Sequence, residues 1–272
     1  MLRTRIILVV VCALIIWALF LLPKAVVENE SQLESGKGPD STAIRTPANS
    51  HGVVAKVLAG KIKDLRARYL SGSKDEKNAI FADSLANLYQ EAGKFDSAGW
   101  FAEEASTFFK TKESFLKTGN DYYEAFMFAV DAKKQQAFAE KSQIFFTQVL
   151  KADPGNLEVK TKMAMTYVGS STPMQGIRML REVLAEDPKN QPALFNMGML
   201  AIQSGQYDRA IERLVRLIEV NPKHVQGQLL LGVAYMNKGD KAKAKQQFEK
   251  VKQLDNDPSV QATADSYLKD LK

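Results

Sequence analysis

Pro154, Pro188 and Pro222 fall 34 residues apart. The same spacing links Gly198 with Gly232 and joins Gly176, Ala210 and Ala244. Phe146, Leu180, Leu214 and Phe248 form a further column, as do Val149, Val183, Leu217 and Val251, and also Met163, Met197 and Leu231. Several independent columns at one period describe a small supersecondary unit stacked on copies of itself. Each copy buries its apolar face only against its neighbours. No other feature of the chain narrows its possible folds so far.

Within one period the pattern reads as two helices. LFNMGMLAIQSG (194–205) carries apolar residues at helical spacing and ends on Gly205, placed to cap the helix in the left-handed region. QYDRAIERLVRLIEVNP (206–222) opens a second helix with an apolar stripe at Ala210, Leu214, Leu217 and Ile218. Pro222 cannot continue that helix, so the chain turns into the next unit. Small residues at Gly198 and Ala210 let the paired helices approach closely.

The fold class is therefore all-α: a solenoid of about five helix-turn-helix repeats, at 79–112, 113–156, 157–190, 191–224 and 225–258. In the second unit Pro154 comes later than a regular repeat would place it. Either the helices there are extended or a loop is inserted near Ala132–Ala137. Pro173 is expected at the start of the third unit's second helix. Solenoid ends need polar caps. A capping helix is expected over 53–78, and another over 259–272 with Val260, Ala264, Tyr267 and Leu271 on one face.

These residues resemble the tetratricopeptide repeat, whose pattern runs Leu-Gly, a Tyr three residues on, then Ala, Phe and Pro. LLGVAYMNKGDKAKAKQQF (230–248) matches it with Leu231, Gly232, Tyr235, Ala244 and Phe248. SLANLYQEAGKFDSA (84–98) matches with Leu85, Ala86, Tyr89 and Ala98, while the Trp position is replaced throughout. The resemblance implies that the first helices of successive units line a concave groove. Carried over unit by unit, the groove positions are Thr161, Met165 and Val168, then Phe195, Asn196, Met199 and Ile202, then Leu229, Val233 and Met236. An earlier unit contributes the polar Asp83, Ser84, Asn87 and Gln90. The C-terminal half of the groove is thus apolar and methionine-rich, suited to an amphipathic helix or extended segment of another protein. The competing reading is that these side chains pack on the facing helices. Some family members hold a partner's terminal carboxylate in a Lys/Asn/Arg clamp. Here Thr161, Met165, Gln226 and Leu230 occupy four clamp positions, and only Asn196 agrees.

The N-terminus is of another kind. Ile6–Leu22 carries no polar or charged side chain and, as a helix, reaches roughly 26 Å, close to the thickness of a hydrocarbon core. It is expected to be an uncleaved transmembrane signal anchor over 6–22. The alternative is a cleaved signal peptide, but no convincing small-x-small site precedes Val26. A lipoprotein signal fits poorly, because Val11 precedes Cys12. Arg3 and Arg5 before the span, against Lys24 after it, place residues 1–5 in the cytoplasm and the rest of the chain outside it. In a bacterium that is an inner-membrane protein with its repeats in the periplasm. Residues 23–52, rich in Ser, Gly, Pro and Glu, read as a flexible linker.

Chemistry has little raw material. Cys12 is the one cysteine, and His51 and His224 are the two histidines. No P-loop, H-E-x-x-H or G-x-S-x-G occurs, and the acidic pairs Glu103–Glu104 and Asp255/Asp257 read as solvated charges. No catalysis, metal, cofactor, small-molecule substrate or nucleic acid is expected; a net charge of +6 is mild for 272 residues. The lysines of the last unit (Lys238, Lys241, Lys243, Lys245, Lys250, Lys252) read as a solvated face, the alternative being a patch for anionic lipid or an acidic partner. Together these residues resemble bacterial membrane-anchored repeat proteins that act in secretion, envelope assembly or cytochrome c maturation. The expected role is a scaffold or chaperone-like adaptor that binds client proteins or peptides in the groove. The alternatives are a targeting receptor with cytosol-facing repeats and an accessory subunit of a membrane complex.

Overall fold

The computed structural model describes residues 50–271, position 74 excepted, and these form twelve α-helices with no strand among them. The anchor expected over 6–22 lies outside the described residues, as does the linker as far as residue 49. Among the described residues, no helix is long and apolar enough to cross a membrane.

Helix α1 (Ser50–Ser71) stands at one end. Five hairpins follow: α2 (Glu76–Glu91) with α3 (Phe95–Phe109), α4 (Lys112–Phe128) with α5 (Ala132–Ala152), α6 (Leu157–Val168) with α7 (Pro173–Glu186), α8 (Gln191–Gln203) with α9 (Tyr207–Val220), and α10 (Val225–Lys238) with α11 (Lys241–Leu254). Helix α12 (Pro258–Asp270) closes the other end. Each helix packs on the next in the chain. The first helices also touch one another, α4 on α6, α6 on α8 and α8 on α10, and so form a continuous row.

The period-34 columns are the core of this stack. Phe146, Leu180, Leu214 and Phe248 are each 0% exposed, and so are Val149, Val183, Leu217 and Val251. Every one lies on a second helix, where a single narrow stripe faces inward. The second unit is longer because its helices are: α5 runs for 21 residues against 14 in α9, and Ala132–Ala137 form its first turns with no inserted loop.

The turns repeat as well. Asn156, Asn190 and His224, again 34 apart, cap α6, α8 and α10 by accepting the N–H of Val159, Ala193 and Gly227. Such a cap satisfies one of the donors that a helix start leaves unpaired. Between α8 and α9 the chain reverses through Gly205 at φ +70°, a conformation that side chains with a Cβ rarely adopt. Gly176 serves a different need. A Cβ there would lie 2.2 Å from the carbonyl oxygen of Ala164 and 2.9 Å from the backbone nitrogen of Val168, so α6 and α7 meet backbone to backbone.

Candidate functional site

The ten groove positions occupy equivalent places on α6, α8 and α10, and their surroundings change along the row. On α6, Thr161 is 3% exposed and Met165 is 9% exposed. The Thr161 hydroxyl donates to the Leu157 carbonyl at 2.7 Å, and Met165 shares an apolar cluster with Tyr123 of α4. In the next two units the strip opens. Phe195, Asn196, Met199, Ile202, Leu229, Val233 and Met236 are all half-buried there, as is Val168 at the end of α6, while neighbours such as Leu194, Gly198, Leu231 and Ala234 are fully enclosed. Phe195 stacks on the ring of His224, 5.4 Å between centroids. Because that imidazole caps α10 through Nδ1, the aromatic ring is held by a helix terminus as well as by packing.

Clefts of about 330 to 780 Å³ open elsewhere among the described residues, lined by side chains other than the ten positions. The strip on α8 and α10 is a row of half-buried, mostly apolar side chains. It suits a helix or extended segment lying across it better than a small molecule, which needs to be enveloped.

The other half of the row is polar. Lys117 of α4 donates to the Asp83 carboxylate of α2 at 2.5 Å and to its carbonyl oxygen at 2.9 Å. Lys162 of α6 donates to Asn120 of α4 at 2.9 Å and to Glu158 at 2.7 Å. Asp121, close enough to Lys117 and Asp83 to feel their charges, is 2% exposed, with no hydrogen-bond partner for Oδ2. Burial pushes its carboxyl up to about 7; Lys117 offsets part of this, and Asp83 and Glu124 add to it.

The folded chain thus retains a proton at Asp121 that the unfolded chain, near 3.8, releases. A group of this kind makes stability fall as pH rises from about 4 to about 7, with no further change above that. Replacing Asp121 by Asn removes the titration. Urea unfolding at pH 4.5, 6 and 7.5 should show the variant gaining on the parent by on the order of 2–4 kcal/mol across the window. A gap that does not change with pH would refute the assignment.

Of the acidic pairs, Glu103 is not a solvated charge. It accepts from the Tyr122 hydroxyl at 2.5 Å and from Lys141 at 2.6 and 2.8 Å, tying α3 to α4 and α5. Burial and this bond raise the Tyr122 hydroxyl far above the ordinary phenol range. Glu104 accepts from Tyr69 of α1 at 3.0 Å. Partners 19, 38 and 35 residues away are invisible to local pattern reading. Asp257 caps α12, and the Ser259 hydroxyl beside it holds its carboxyl below the usual range. In the last unit Lys238 pairs with Asp208, Lys243 with Asp240, Lys245 with Glu249 and Lys252 with Asp265. Most of that lysine set is internally neutralised. Among the described residues, no group of three or more His, Cys, Asp or Glu side chains could hold a metal ion.

A row of helical hairpins with a periodic core and one open face is an α-solenoid. Residues 173–227 and 201–264, in its C-terminal part, match the tetratricopeptide-repeat family model. No curated protein sequence matches the chain. Among solved structures the chain is similar to MamA, at 18% identity over 65% of this chain and 91% of that one, with a TM-score of 0.48. MamA from Desulfovibrio magneticus RS-1 gives 17% identity, 67% and 96% coverage and a TM-score of 0.49. YrrB, a TPR protein with an unusual peptide-binding site, gives 19%, 78% and 99%, and 0.45.

Proposed function

We propose that the chain is a membrane-anchored interaction scaffold that holds a segment of another protein against the first helices of its fourth and fifth units, with no covalent chemistry. One observation carries this reading. Thr161 and Met165 are sealed on α6, but their equivalents on α8 and α10 are half-buried, and there Phe195, Met199, Ile202, Leu229, Val233 and Met236 keep accessible apolar surface. Continuous apolar surface with an adaptable methionine content is what partner segments bury. The polar stretch around Lys117 and Lys162 would meet a charged part of the same segment.

The anchor reading rests on Ile6–Leu22 and on the arginines before it, which put the repeats in the periplasm of a bacterial cell. Protease added to intact spheroplasts should then digest the repeats. Protection until lysis would favour the receptor with cytosol-facing repeats. Roles in secretion, envelope assembly or cytochrome c maturation fit an anchored holder of this kind, and the client decides among them.

Replacing Phe195 and Met199 by Asp tests the groove itself. Losing two anchors of an interface costs about 2 kcal/mol or more, so partner retention should fall by about 30-fold or more while the helical circular dichroism stays unchanged. An undiminished set of co-purified partners would leave only the accessory-subunit reading.

A further inference from the structure

The chain has ten arginines, and the five beyond residue 68 (Arg178, Arg181, Arg209, Arg213 and Arg216) all lie on α7 and α9, the second helices of two neighbouring units. Every other cation between residues 69 and 272 is a lysine, His224 aside. Three of the five line one cleft. It has a volume of about 490 Å³ and opens where α7, α8 and α9 meet, on the side away from the strip described above. Met174, Ile177, Met197, Leu200 and Ala201 form its apolar lining, and Arg181, Arg209 and Arg213 its charged part. No carboxylate lines it.

The cleft exists because α7 packs on α8 more sparsely than any other consecutive pair of helices in the solenoid. Only Gly176, Leu180 and Val183 of α7 are buried, and Met174 keeps 56% of its surface exposed. The arginines are also under-used within the fold. Among the described residues neither Arg181 nor Arg209 has a carboxylate partner, although Arg209 donates to the Gln206 side chain at 2.5 Å. Arg213 meets only its neighbour Glu212, at 3.3 Å. The lysines of the adjoining unit show the contrast, since most are paired.

We infer that this cleft is a second docking site, for an acidic amphipathic segment of a partner protein. Its aliphatic side chains would fill the methionine-lined floor while its carboxylates take the guanidinium groups. Charge complementarity carries the choice of occupant. Three fixed forks around an apolar floor with no opposing acid match carboxylates bidentately, which a lysine cluster would not do. Arginine stems extend the apolar wall toward the rim. A volume near 490 Å³ lies in the range of cavities that enclose ligand side groups. A flat anionic membrane would meet the exposed arginines but could not reach Met197 and Leu200, which lie between the helices. The site is independent of the first-helix strip.

The test uses the full-length chain and a fluorescent 14-residue helical peptide with Leu at positions i, i+4 and i+7 and Glu on the flanking faces. The control peptide has every Glu replaced by Lys. Anisotropy should show salt-sensitive binding of the acidic peptide only, weakened at least tenfold in R181Q/R209Q/R213Q and in M174D. The pair F195D/M199D should bind it as the parent does. All six substituted residues are at least partly exposed, so folding is checked by the melting curve, and the single substitution R209Q serves if the triple variant melts early. Equal binding of the control peptide, unchanged binding by the arginine variants, or loss in F195D/M199D would overturn the assignment. So would binding to vesicles containing 30% phosphatidylglycerol that weakens in R181Q/R209Q/R213Q while peptide binding does not.

Discussion

Replacing Phe146 by Ala is expected to lower the unfolding free energy by about 3–5 kcal/mol, the cost of emptying a fully buried aromatic site. Phe146 is 0% exposed and clusters with Val149, Val159 and Met163, with Leu116, Tyr123 and Leu150 packed around them. Its ring lies against Gly119, where an added Cβ would come within 2.6 Å of it. That glycine is thus small because the phenylalanine is large, and Ala in place of Phe146 leaves a cavity against it. The lesion also falls where α5 links α4 to α6, in the middle of the array. Repeat stability is carried by nearest-neighbour interfaces, so a break there should separate the two halves. Urea unfolding followed by circular dichroism should show a lower midpoint and a broader transition. A loss below about 1 kcal/mol would contradict this account of the core.

Gly176→Ala is the second large effect. One added carbon would collide with backbone atoms of α6, at 2.2 Å from Ala164 and 2.9 Å from Val168, and backbone cannot rotate away as a side chain can. The hairpin must open. The cost should lie at or above the upper end of ordinary overpacking, about 3 kcal/mol. The same substitution at Gly60, exposed in α1 with nothing within 4 Å of the added Cβ, is the control and should be neutral or slightly stabilising. Thermal melts of the two variants side by side decide the matter. Similar losses at both sites would mean that helix propensity, and not the close approach, sets the effect.

Much of the fold is legible in the chain because a 34-residue column demands the same environment in every copy. Leu180, Leu214 and Phe248 differ in shape, yet all are sealed. The cap column was harder to see. Asn156, Asn190 and His224 are unlike residues, and they are equivalent only through one acceptor atom placed three residues before the N–H it receives. Periodicity fails differently at the groove. Thr161, Phe195 and Leu229 share a register, but Thr161 is enclosed and the other two are not. A repeat defines which face a residue is on, whereas its exposure depends on what the adjacent unit brings. The second unit is longer than the others and brings Tyr123. The Glu103 network and the lone Asp121 carboxyl were equally unreadable, since both arise from contacts between units. The arginine cluster was visible as composition, and only the packing of α7 on α8 makes it a cleft.

The central claim is that partners lie on the first helices of the fourth and fifth units. Site-specific photo-crosslinking in native membranes tests it most directly, with the reactive residue placed at Met199 or Val233, and at Lys133 or Gln136 on the exposed side of α5. The account predicts adducts of discrete mass from Met199 and Val233 and none of those masses from Lys133 or Gln136. Adducts of equal yield from both sides, or none from Met199 and Val233, would contradict it.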